Sequence, residues 1–167
     1  VNFKSVVSKV RKIIPDIFFF NIQTIYIGDY DHFSERGVNA YYKDARLFLT
    51  NAQKSEEDMV DDIVHELAHS IEDFFSKEIY TDGLIRAEFL AKRNKLLDIL
   101  GAHGYNIPGN LDFMNPEYSQ DLDDFFYREI GYPKMANFIR GLFLGPYSTT
   151  SIHEYFAAGF EDYFINI

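Results

Sequence analysis

The chain has 167 residues, 47% of them apolar, with 17 Phe and 12 Tyr, a composition that supports one domain with a sizeable core and excludes a disordered chain. Its net charge of −10, with acidic runs from Glu56 to Asp62 and Asp121 to Asp124, excludes a phosphate-binding surface and so nucleic acid as a partner, and favours a neutral or basic substrate. The absence of cysteine excludes disulfides and thiolate metal sites, and no apolar run reaches the length of a membrane span.

Phe3, Val6, Val7, Val10, Ile13 and Ile14 recur at helical spacing, and Pro15 stops that helix. Thr24 to Gly28 reads as a strand, Asp29 to Gly37 as a loop. Val38 to Tyr42 and Arg46 to Thr50 read as two strands joined around Lys43-Asp44. Ser55-Glu56-Glu57-Asp58 is a capping signal that opens a helix to about Lys77. Beyond it the pattern is helical: Thr81 to about Leu100, ended by Gly101 and Gly104; Ser119 to Gly131 after a loop from Asn106 to Pro116; Pro133 to Leu144; and Ser151 to Phe164. Strands first and helices after predict an α+β fold with a mainly helical C-terminal half. There is no repeat or linker, so residues 1–167 read as a single domain. Val1 is not an initiator Met and no signal peptide is visible, so that domain is expected to be part of a longer chain.

The helix from Ser55 contains His65-Glu66-Leu67-Ala68-His69. Residues four apart share a helix face, so both imidazoles can aim at one point, and two neutral imidazoles suit Zn²⁺. Glu66 is then placed to act as general base toward a metal-activated water. This chain's own His and Glu frequencies produce such a match by accident in about 1 chain in 100. Val60, Ile63, Val64, Leu67, Ala68, Ile71, Phe74 and Phe75 surround the motif with apolar positions, which draws the histidines out of bulk water, where they need partners.

A catalytic zinc site takes three protein ligands and keeps one open position. Glu72 and Asp73 sit on the same helix as the histidines and cannot readily close a tetrahedron with both. His32 lies in the early loop and His103 at a Gly-rich helix end. The last helix offers Glu154, with Ala157, Ala158 and Glu161 on its face, and His153, which faces elsewhere. Glu154 is the expected third ligand, on the preference of hydrolytic zinc enzymes for two His and one Glu, with His153 as its competitor.

HExxH followed downstream by a Glu in a short, aromatic-rich and Ala-rich helix resembles the gluzincin group of zincins, and within it the anthrax-lethal-factor-like peptidases, which include the Pro-Pro endopeptidases. Those proteins carry a Tyr seven residues before the ligand Glu, where this chain has Tyr147, and an E-[FY]-F-A core matched by Glu154-Tyr155-Phe156-Ala157. The resemblance covers Val38 to Phe75 and Tyr147 to Phe164. It implies zinc on His65, His69 and Glu154, Glu66 as base, and Tyr147 as the donor that stabilises the oxyanion. It also implies a zincin-like fold, with a small mixed sheet whose edge strand, Val38 to Tyr42, lies over the cleft and pairs with a peptide or protein substrate in extended form. A secreted or virion-associated location is implied by the resemblance alone.

The chain departs from the family in two places. Ala158 stands where an acidic residue often orients a zinc histidine, so Glu161, Asp61, Asp62 or a backbone carbonyl must substitute. The stretch between His69 and Glu154 also holds extra helices. The expected function is a zinc metallopeptidase, a hydrolase of peptide bonds. The alternative is a catalytically silent zincin-like module of a larger toxin or virion protein, against which the intact Glu66 counts.

Overall fold

A computed structural model describes residues 1–29 and 38–166. The chain divides into two compact units, Val1–Ser76 with Phe160–Ile167, and Lys77–Gly159.

In the first unit, helix α1 (Phe3–Ile13) opens at Asn2, whose side-chain oxygen accepts from the backbone N–H of Lys4 and Ser5. Arg11 and Lys12 fill its last turn, where cations complement the helix dipole, and Ile14 leaves it in extended conformation ahead of Pro15. Strands β1 (Thr24–Ile27), β2 (Ala40–Lys43) and β3 (Arg46–Leu49) form a sheet of order β1-β3-β2. β1 runs parallel to β3 and β2 antiparallel. The expected strand from Val38 therefore starts two residues late. Val38 and Asn39 lie ahead of β2, although the Asn39 carbonyl still accepts from the Thr50 N–H at 2.9 Å. The turn between β2 and β3 holds Asp44 and Ala45 at φ 49° and 62°, the left-handed geometry that matches hairpin twist.

Alternation along β3 sorts its side chains. Leu47 and Leu49 are fully buried, while Phe48 faces the other way and stacks between Tyr26 and Tyr41, with ring centroids 5.1 Å and 4.5 Å away. Helix α2 (Glu56–Tyr80) is capped by Ser55, whose Oγ accepts from the Asp58 N–H at 3.0 Å, and carries Glu56, Glu57 and Asp58 in its first turn. It continues past the expected end at Lys77 and passes through non-helical angles at Phe75 (φ −107°, ψ 21°). Met59, Val60, Ile63, Val64 and Leu67 of α2 pack with Val6 and Val10 of α1, with Ile14 just past its end, and with Leu47 and Leu49. Each such burial contributes about 1.5–3 kcal/mol. One polar clamp joins β2 to α2. The Tyr42 hydroxyl donates to Asp73 Oδ2 at 3.0 Å and accepts from Asn21 Nδ2 at 3.0 Å and the Ala45 N–H at 3.2 Å, and Asn21 Nδ2 also donates to the Ser70 carbonyl.

In the second unit, helix α3 (Leu84–Ala102) starts after Gly83, which sits at φ 71°. Thr81 does not cap it. Its hydroxyl donates to the Lys77 carbonyl and closes the end of α2, while Asp82 Oδ1 accepts from the Leu84 N–H at 3.0 Å. Helix α4 (Gln120–Asp124) follows Ser119 and runs straight into a π-helical stretch, Phe125–Ile130, which Gly131 ends at φ 84°. Helix α5 (Tyr132–Phe138) stops short of the expected Leu144, with Gly141 at φ 78° in the turns that follow. Helix α6 (Ile152–Ile165) starts where expected, with Ser151 Oγ accepting from the Glu154 N–H at 3.2 Å. Phe89, Leu96 and Leu100 of α3 pack with Leu122, Phe126 and Met135 to form this unit's core.

The protein is thus α+β, with six α-helices and a three-stranded mixed sheet among the described residues. No described helix is long and apolar enough to cross a membrane.

Candidate metal centre

His65 and His69 lie on one face of α2, their ring centroids 5.1 Å apart and their planes at 76°. Their side chains are 21% and 20% exposed, so both are largely withdrawn from solvent. Each Nδ1 faces a carboxylate: His65 Nδ1 lies 3.0 Å from Glu161 Oε2, and His69 Nδ1 lies 3.5 Å from Glu72 Oε2. A carboxylate at Nδ1 favours the proton there and the lone pair on Nε2, the form in which an imidazole ligates a metal. Of the groups the sequence left open for this place, Glu161 is the one that lies at His65 Nδ1.

Glu66 follows His65 and is buried, 9% exposed. Asp62, one turn earlier, has its carboxyl pushed up to about 7, first by burial and then by the negative charge of Glu66.

In the second unit the segment ahead of α6 is tied back on itself by three consecutive hydroxyls. Ser148 Oγ donates to the Gly145 carbonyl at 2.6 Å, Thr149 Oγ1 to Pro146 at 2.6 Å and Thr150 Oγ1 to Tyr147 at 2.7 Å, while Ser151 caps α6. All four residues are buried. Tyr147 opens the 3-10 turn Tyr147–Thr149 and leaves its side chain 41% exposed. Glu154 lies in the first turn of α6.

One ligand atom from each of His65, His69 and Glu154 lies within 4.8 Å of the other two, a group that could hold a metal ion. Two imidazole nitrogens and one carboxylate oxygen are the donor set of a hydrolytic zinc site with one position open, so the residues present fit Zn²⁺. His153 is not part of that group. Its Nε2 lies 3.0 Å from Glu117 Oε2, and its ring meets Tyr80 edge-on. His103 is exposed at the end of α3, with Nδ1 2.8 Å from the Ile99 carbonyl, and His32 lies outside the described residues.

Sequence reasoning missed two groups. Glu72 was weighed only as a ligand, although its position three residues after His69 is the spacing at which helix side chains pair. Arg93 on α3 is fully buried, and as one of four basic residues on that helix it carries no signal of that in the sequence. Set against models of protein families, curated proteins and solved structures, the chain matches none.

Proposed function

We propose that this chain is a zinc-dependent endopeptidase with a zincin-like site, similar to the anthrax-lethal-factor-like peptidases. The observation that carries the reading is the grouping of His65, His69 and Glu154 ligand atoms within 4.8 Å. The carboxylates at both Nδ1 atoms support it, because a pair of unrelated surface histidines has no need of them. Bound Zn²⁺ would supply Lewis acidity, bringing the ionisation of water near neutral pH and polarising the scissile carbonyl.

The chain's own residues would do the rest. The Glu66 carboxylate takes a proton from the attacking water and returns it to the leaving amine. The Tyr147 hydroxyl donates a hydrogen bond to the oxyanion that develops on the carbonyl, a type of contribution worth about 3–4 kcal/mol. Among the described residues β2 lies at a sheet edge, so the main chain from Val38 to Tyr42 can pair with an extended peptide, with strand hydrogen bonds supplying affinity and side-chain pockets selectivity.

The test is metal analysis joined to digestion of a broad peptide library. Stoichiometric zinc with cleavage that stops on chelation supports the enzyme. Zinc without cleavage of any peptide points to the silent module, and no stoichiometric zinc removes the reading altogether.

A further inference from the structure

Among the described residues the Arg93 side chain is the largest fully buried one, and no carboxylate there hydrogen-bonds to it. Its partners are four backbone carbonyls on two separate stretches, the end of the 3-10 turn at Thr149 and Thr150 and the loop at Phe113 and Asn115. Nε donates to Thr149 at 2.9 Å and Nη2 to Thr150 at 2.6 Å, while Nη1 donates to Phe113 at 3.2 Å and Asn115 at 2.7 Å. The ring of Phe89 lies 4.8 Å from the guanidinium carbon. Burial lowers its pKa only to about 10, so the group is charged at neutral pH.

Buried carbonyls outside helices and strands must find donors, and a guanidinium presents five in one rigid fork. An aliphatic residue would have filled the space without the cost of desolvating a charge. The fork joins α3 to the backbone between Tyr147 and Glu154. The same segment is held at two further points: the Ile152 N–H donates to the Pro116 carbonyl at 2.8 Å, and the Tyr155 hydroxyl donates to Glu88 Oε1 at 2.7 Å. Thr149 and Thr150 lie directly between the two residues whose side chains the proposed chemistry needs. A displacement of their carbonyls moves the root of Glu154 and the 3-10 turn that carries Tyr147 together.

We infer that Arg93 is a positioning residue for the metal centre, acting through the Thr149 and Thr150 carbonyls to set the Glu154 carboxylate; this rests on the zinc reading above. A lysine has one donor group and cannot span both loops. Arg93→Lys should therefore fold, melt at a lower temperature and bind Zn²⁺ about 10- to 100-fold more weakly, the range seen when a ligand's support is removed. Arg93→Gln, which keeps an amide donor and leaves no buried ammonium, is the second variant should the lysine prevent folding.

The experiment titrates Zn²⁺ against a chromophoric chelator well below the melting temperature, for the wild type, Arg93→Lys, Arg93→Gln, Glu154→Gln and Arg93→Lys/Glu154→Gln. Leu96→Ala, in the same core on the same helix, controls for lost stability alone. The expected result is weakened binding in both Arg93 variants and in Glu154→Gln, a double variant no weaker than Glu154→Gln alone, and wild-type affinity in Leu96→Ala. Wild-type affinity in the Arg93 variants, losses that add in the double variant, or an equal loss in Leu96→Ala overturns the inference while the zinc reading stands. Equal affinity in wild type and Glu154→Gln overturns the zinc reading and the inference with it.

Discussion

His65 Nδ1 lies 3.0 Å from Glu161 Oε2, a carboxylate 96 residues further along the chain. The pair is partly exposed, His65 at 21% and Glu161 at 33%, so as a surface ion pair it adds less than about 1 kcal/mol to stability. Its effect lies in the imidazole: with Nδ1–H donated to Glu161, the ring's lone pair falls on Nε2. Glu161→Ala should leave the melting temperature of the metal-free protein nearly unchanged and weaken Zn²⁺ binding about 10- to 100-fold. A chelator-competition titration measures this, and unchanged affinity would remove Glu161 from the site.

The different roles proposed for Glu66 and Tyr147 make their variants distinguishable. Glu66→Gln should abolish turnover with zinc still bound, because the amide cannot accept the water's proton. Tyr147→Phe should slow turnover about 10²- to 10³-fold with zinc retained and KM little changed, because the lost hydrogen bond forms only as negative charge develops. Steady-state kinetics on a peptide substrate, with metal analysis of each variant, checks both. Wild-type cleavage by Glu66→Gln would end the general-base assignment.

The Tyr42 hydroxyl is the hub of the clamp between β2 and α2, with Asn21, Ala45 and Asp73 as its partners. Burial is the main cause that raises its pKa, with Asp73 next. Tyr42→Phe keeps the ring and strands the Ala45 N–H, so it should destabilise the fold by about 1–2 kcal/mol. A urea titration shows this as a lower midpoint at an unchanged slope. If the clamp also holds the edge strand for substrate, KM rises while kcat holds.

What could be read in the sequence was local. Ser55 and Ser151 cap helices because a hydroxyl one step before an apolar-periodic run has an orphan N–H within reach, and both bonds are present. Thr81 was misread for want of one dihedral: Gly83 in the left-handed region ends α2 and restarts the chain, so Thr81 belongs to the helix behind it. Gly141 truncates α5 in the same way, where apolar spacing alone continues to Leu144. The π-helical stretch from Phe125 to Ile130 leaves no mark in a pattern scored at ordinary helical spacing. His65 and His69 were legible as a pair because HExxH places both on one helix face, whereas Glu154, on another helix, was expected from a donor-set preference alone. Glu161 was one of several second-sphere choices until its helix was in place, and Arg93 became visible only through its acceptors, which are backbone and have no residue type to read.

Asp62 gives the protein a pH dependence whose sign follows from its surroundings. Its Oδ2 is buried without a hydrogen-bond partner among the described residues, and burial together with the Glu66 charge raises its pKa from 3.8 to about 7. For an acid whose pKa is raised by folding, the native state holds a proton that the unfolded chain has already released between those two values. Stability is therefore fully present below about pH 4, is lost as pH rises toward 7, and levels off above that. Asp62→Asn removes the titrating group while keeping its shape, so it should flatten this slope and stabilise the protein above pH 7 by on the order of 2–4 kcal/mol. Thermal melts from pH 4.5 to 8 with a chelator present separate this from metal binding. A variant that follows the wild-type profile would show that Asp62 is ionised throughout and that the pH dependence has its origin elsewhere.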